Sequence, residues 1–140
     1  MIAIASDHAG YALKESIKQY LSSLSIPCRD FGTNTTESCD YPLFADNVCN
    51  SILQGECSQG ILVCGTGIGM SMAANRHQGI RAAVCTDEYC AKYTRLHNDA
   101  NVLCLGARVV GEGLAQEIVQ IFLSTPFEGG KHQKRIDLFR

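Results

Sequence analysis

Five short apolar runs, each followed by a segment with helical spacing, predict an α/β fold: a Rossmann-like three-layer α/β/α sandwich with a five-stranded parallel sheet and a C-terminal helical arm. A length of 140 residues with 46% apolar content fits one domain, residues 1–140, with one ordinary core. Strict alternation of the two element types implies parallel strands joined by right-handed crossovers and covered by helices on both faces.

The first strand is Ile2–Ala5, running into Ser6-Asp7-His8. In the first helix Leu13, Ile17, Leu21 and Leu24 share one apolar face, and the helix ends before Pro27. Cys28–Phe31 forms the second strand. The second helix starts near Pro42, a favourable first helical residue, and runs to about Gln54, ahead of Gly55. Ile61–Cys64, bounded by Gly60 and Gly65, suits a buried parallel strand, and Met70–Asn75, rich in Ala and Met, suits the helix after it. The fourth strand, Ala82–Cys85, leads to a helix from Glu88 to about His97. Val102–Leu105 is the fifth strand; after it Leu114, Ile118, Ile121 and Phe122 share a face of a helix from Gly113 to Ser124 that Pro126 stops. The remaining tail carries Lys131, Lys134, Arg135 and Arg140, and reads either as a solvated basic face or as an anion-binding arm.

A net charge of -2 leaves no electrostatic footprint for nucleic acid. The apolar runs are too short to span a membrane, and the first residues lack the pattern of a signal peptide, so a cytoplasmic protein is expected. The eight cysteines, at positions 28, 39, 49, 57, 64, 85, 90 and 104, include no Cys-x-x-Cys pair, and the four histidines supply no ligand pair, so no structural metal is expected. Cys64, Cys85 and Cys104 fall in apolar runs, where a thiol packs as a small hydrophobe.

Open parallel sheets bind ligands beyond the carboxyl ends of their strands, which singles out Asp7 and His8, Cys64 to Gly69, Thr86 and Asp87, and Gly106 to Arg108. In Cys64-Gly65-Thr66-Gly67-Ile68-Gly69 a strand ends on a thiol and enters a glycine turn, whose backbone N–H groups stabilise an anion, a thiolate included. The glycines lack the G-x-G-x-x-G spacing of a dinucleotide fold, no Gly-Lys-Ser/Thr follows for a Walker loop, and Met70 stands where a thiol phosphatase needs Arg. Asp7 reads either as a cap on the first helix or, with His8, as an acid/base pair facing Cys64. His97 reads as a favourable C-terminal cation or as a catalytic group.

Ser6-Asp7-His8-Ala9-Gly10, Asp40-Tyr41-Pro42, Cys64 through Ser71, Arg95 through Asn101, and Glu128-Gly129-Gly130 together resemble the ribose/galactose isomerase family, and within it the B-type ribose-5-phosphate isomerases, over nearly the whole chain. The resemblance implies the three-layer fold, a homodimer or tetramer with the active site between subunits, a sugar-phosphate substrate, and no cofactor or metal. It gives Cys64 the role of general base between C2 and C1 of the open-chain sugar; part of the family uses a Glu at the position of Met70, so this chain falls in the Cys branch. Gly65, Thr66, Gly67, Ile68 and Gly69 would present N–H donors to the enediolate oxygens, assisted by Asn98. His97 would open the furanose ring with help from the Thr66 hydroxyl, and Asp7 would hold sugar hydroxyls and shuttle a proton between O1 and O2. His8, Arg108, Lys131 and Arg135 would bind the phosphate, Lys131 standing where the family usually has Arg, and Tyr41 would lie near the sugar. His97 and Arg108 are expected to reach a partner's Cys64 loop. The rival expectations are a six-carbon substrate, allose or galactose 6-phosphate, and a non-catalytic phosphosugar-binding protein on the same fold.

Overall fold

A computed structural model describes all 140 residues. The element order is β1 (Ile2–Ser6), α1 (Tyr11–Ser23), β2 (Cys28–Asp30), α2 (Tyr41–Leu53), β3 (Gln59–Cys64), α3 (Ile68–Ala74), β4 (Ala82–Val84), α4 (Glu88–Asn98), β5 (Val102–Gly106), α5 (Glu112–Ser124) and α6 (Lys131–Ile136). The five strands form one sheet in the order β2-β1-β3-β5-β4, and every pairing is parallel. The predicted fold class and the helical arm are therefore both present.

Period-two alternation sorts the strand residues to two faces. Ile2, Ile4, Ile61, Val63, Leu103 and Leu105 pack with Leu13, Ile17 and Leu21 of α1 and with Ile118 and Phe122 of α5. Ala3, Ala5, Leu62, Cys64, Val102 and Cys104 meet Ala45 and Val48 of α2 and Met70 and Ala74 of α3. The second face is built of smaller side chains, so the α2–α3 layer carries Met70 and the turn before α3 close over the end of β3. The chain runs from β1 to β2 on one side and then returns to β3 on the other, so the loops after β1 and β3 part at a topological switch point, where open sheets form their crevice.

One helical expectation is corrected at its edge. Leu13, Ile17 and Leu21 line the buried face of α1, but Leu24 is 41% exposed because the helix ends at Ser23 and Leu24 is its C-cap. The buried position next to Leu13 is taken by Lys14, whose side chain has no exposure. Its Nζ donates to both oxygens of Asp30 at 2.9 Å and to the Thr33 carbonyl oxygen, while Lys18 Nζ donates to Asp30 Oδ2 at 2.7 Å. This cluster ties α1 to the end of β2 and to the segment that follows it. That segment in turn bonds to the end of β1, Ser6 N–H to the Gly32 carbonyl and Thr33 N–H to the Ser6 carbonyl.

Partial burial opposes ionisation of Asp30, but the hydrogen bonds from Lys14, Lys18 and the Gly32 N–H outweigh it and hold the carboxyl below its ordinary 3.8. A depressed carboxylate stabilises the fold above its unfolded pKa, and the contribution is lost as pH falls through the folded one. Asp30→Ala leaves Lys14 buried without its counter-ion and is expected to cost about 3 kcal/mol at neutral pH. Urea melts of the two proteins check this, and the gap between them should close as the pH is taken below about 4.

Candidate active site

Cys64 is the last residue of β3 and only 5% exposed. The chain leaves the strand through Gly65 and Thr66 and reverses at Gly67, whose φ of 81° is the left-handed conformation that glycine adopts without strain. That reversal aims the Gly67 N–H at Cys64 Sγ, 3.1 Å away, a contact that stabilises negative charge on sulfur. The Thr66 hydroxyl oxygen accepts the Ile68 N–H at 3.2 Å, and both side chains are exposed. The N–H groups of Gly65, Thr66, Gly69 and Met70 make no hydrogen bond within the chain, so the turn has four unpaired donors, that of Met70 on a fully buried residue.

The turn is braced by β5. A Cβ on Gly106 would lie 2.6 Å from the Thr66 carbonyl oxygen, so only glycine lets the two backbones approach this closely. The Ala107 N–H donates to the Cys64 carbonyl at 2.8 Å and the Arg108 N–H to the Gly65 carbonyl at 3.0 Å. Arg108 therefore lies against its own chain's turn, its Nη1 3.2 Å from where a Cβ on Gly65 would stand. This corrects the expectation that Arg108 reaches a partner's loop: the pairing of β3 with β5 places it beside Cys64 directly. Tyr41, the first residue of α2, covers Gly69 in the same way, with its ring 2.8 Å from the built Cβ.

Across the switch point the Asp7 N–H donates to the Val63 carbonyl at 3.1 Å, holding Asp7 beside the end of β3. Its Oδ1 accepts the Gly10 N–H at 3.0 Å, a bond to the residue before α1 and not to the helix's own first turn, so Asp7 does not cap α1, and Oδ2 is left open. His8 Nδ1 accepts the Cys39 N–H at 3.3 Å, so neutral His8 carries its proton on Nε2 and offers an N–H outward. Asp7, His8, Tyr41, Cys64 to Gly69 and Arg108 thus gather at the carboxyl end of the sheet.

His97, Asn98, Lys131 and Arg135 do not join them. A helix that follows a strand runs back along it, so the end of α4 lies at the amino edge of the sheet, where Arg81 Nε donates to the Asn98 and Asp99 carbonyls at 3.1 and 2.9 Å. That level is marked by the Gly60 N–H bonded to the Asn101 carbonyl, and Cys64 lies about 13 Å further along β3 at the usual rise per residue. Lys131 and Arg135 are exposed on α6, which packs on α4. The expected site residues therefore fall into two groups at opposite ends of the sheet. The group around His97 borders a cavity of about 1230 Å³, lined in part by Arg76, His77, Arg81, Asn98, Ile136 and Phe139.

The ribose/galactose isomerase family matches residues 2–139. The chain belongs to this family. Ribose-5-phosphate isomerase B of Escherichia coli is 46% identical over 136 residues, covering 97% of this chain and 91% of that one. The solved ribose-5-phosphate isomerase B of Clostridium thermocellum matches with a TM-score of 0.96 at 51% identity, over 97% of this chain and 92% of its own. That of Mycoplasma genitalium, with bound ribulose-5-phosphate, matches with a TM-score of 0.93 at 43% identity, over 97% and 91% of the two chains.

Two groups near the family's motif positions were not singled out from sequence. Cys39 orients His8 through its backbone N–H, which no side-chain pattern signals. His132 stacks on His97 with ring centroids 4.1 Å apart and planes at 10°, and its Nε2 lies 3.2 Å from Glu128 Oε2. Glu128 precedes α6, so the pair is made by the turn through Gly129 and Gly130 and not by a helical turn. His97, Glu128 and His132 bring their ligand atoms within 4.8 Å of one another. The trio does not fit a metal, because lone pairs in two nearly parallel ring planes do not converge on one ion at bonds of about 2 Å.

All eight thiols are free. Burial pushes Cys28 up to about 11 and Cys49 and Cys85 up to about 12, and raises fully buried Cys104 as well, so these four stay protonated at neutral pH. Brief iodoacetamide treatment of the native protein, read by peptide mass spectrometry, should leave all four unlabelled and reach them only in denaturant.

Proposed function

We propose that the chain is an aldose–ketose isomerase interconverting D-ribose 5-phosphate and D-ribulose 5-phosphate, a cytoplasmic enzyme of the non-oxidative pentose phosphate pathway that works as a homodimer or a pair of dimers. The observation that carries this reading is the buried Cys64 thiol, met by the Gly67 N–H and flanked by the unpaired N–H donors of the turn. The named activity of the relatives supports the substrate.

Ribose 5-phosphate arrives as a furanose. The partner's His97 takes the proton from the C1 hydroxyl while the ring oxygen gains one, so the C1–O4 bond breaks to an aldehyde and a C4 hydroxyl with no net change at the imidazole. Cys64, as thiolate, then removes the C2 proton, and the electron pair moves to O1, where the N–H groups of the turn receive the charge. Asp7 passes the O2 proton to O1, and Cys64 returns its proton to C1, leaving the ketone at C2 and the thiolate restored. Arg108 and His8 on one side and the partner's Lys131 and Arg135 on the other hold the phosphate. Side chains carry every proton, so the reaction calls for no metal or cofactor.

Conversion of ribose 5-phosphate in the presence of EDTA, compared between the native protein and Cys64→Ala, tests the reading. The native rate should survive chelation, and the variant should lose kcat by about 10³-fold while binding substrate with similar affinity. A native protein inactive on this pentose would redirect the assignment to six-carbon sugar phosphates.

Sharing of the site between chains has its own test. Cys64→Ala and His97→Asn chains, each inactive alone, should regain about a quarter of native activity when unfolded and refolded together in equal amounts, since half the dimers then hold one intact site. A mixture that stays inactive contradicts a shared site.

A further inference from the structure

The His97 imidazole makes no hydrogen bond or ion pair within its chain, yet ring opening needs it held in one plane. Aromatic rings pack against it. His132 lies face to face with it at 4.1 Å, and Tyr93, one turn back on α4, meets it edge-on at 5.1 Å and 67°. His132 is itself 7% exposed, and its Nε2 lies 3.2 Å from Glu128 Oε2, a carboxylate that also comes within 4.8 Å of the His97 ring. The Glu128 N–H donates to the Leu96 carbonyl at 3.1 Å, and the His132 N–H to the Gly129 carbonyl at 3.1 Å, so the segment carrying both residues is anchored to the end of α4.

We propose that His132 is a positioning residue for His97, acting through the stacked ring. The inference rests on the reading of His97 as the ring-opening group and adds the device that aims it. Stacking restrains the plane of an imidazole without occupying either nitrogen. A hydrogen bond would fix the same plane at the cost of one nitrogen, whereas ring opening needs one nitrogen to accept from O1 and a donor for O4. The stacked arrangement supplies orientation and leaves both positions free.

The experiment separates ring opening from proton transfer at carbon. Ribulose 5-phosphate cannot close a five-membered ring, because the C5 oxygen that would do so carries the phosphate. Deuterium uptake at its C1 in D₂O therefore reports Cys64 chemistry alone, while turnover of ribose 5-phosphate reports both steps. In the full-length protein, His132→Ala should lower kcat on ribose 5-phosphate by about 10- to 100-fold with KM nearly unchanged, and leave C1 exchange within about twofold. His132→Phe, which keeps a flat ring but not the bond to Glu128, should recover most of kcat. An Ala variant of native kcat, a loss shared equally by exchange, or a Phe variant as slow as Ala would each overturn the proposal. His97→Asn is run alongside: if it slows turnover and exchange alike, the ring-opening role of His97 itself fails, a result distinct from any failure confined to His132. Thermal melts of the Phe variant confirm that it is folded.

Discussion

The architecture turns on the central strand β3, which is paired with β1 along one edge and β5 along the other and ends on Cys64. Two parallel neighbours leave the strand no freedom to shift register, since a slip of one residue would turn Leu62 and Cys64 toward α1 and α5 and expel Ile61 and Val63 from the larger layer. The position of the thiol is thereby set by the hydrophobic pattern of five strands and not by local preference. Everything placed at the carboxyl end is measured from it: Asp7 through β1, Arg108 through β5, and the turn donors through Gly67.

That pattern explains why so much was legible in the residues alone. Strands β1, β3 and β5 announce themselves as short aliphatic runs bounded by glycine or polar residues, and the glycine turn after Cys64 carries its own chemistry. Leu24 shows the limit: helical spacing put it on the buried face of α1, but the chain departs at Ser23 and turns it outward, while the alkyl stem of Lys14 enters the core because Asp30 and the Thr33 carbonyl wait there for its charge. A buried lysine is read as exposed until its partner, 16 residues away, is seen.

The site separates along the same line. Residues just beyond β1, β3 and β5 could be grouped by topology, and they do lie together, whereas Asp87, beyond β4, caps α4 by accepting the Cys90 N–H. The stack of His97 on His132 joins residues far apart in the chain across the α4–α6 packing, and no periodicity encodes it. Nor does a motif state that Cys64 and His97 lie at opposite ends of the sheet; the direction of α4 settles that, since a helix crossing back over a strand delivers its last residues to the edge from which the strand began.

The bracing of the Cys64 turn by β5 has a consequence for what the crevice accepts. Ala107 and Arg108 are bonded through their main-chain N–H groups to Cys64 and Gly65, and Gly106 lies directly against the Thr66 backbone, so the main chain that carries Cys64 and Arg108 contains no hinge. A ligand entering the crevice therefore meets a main chain that does not open around it, and only the rotatable bonds of the Arg108 side chain are left to follow its length.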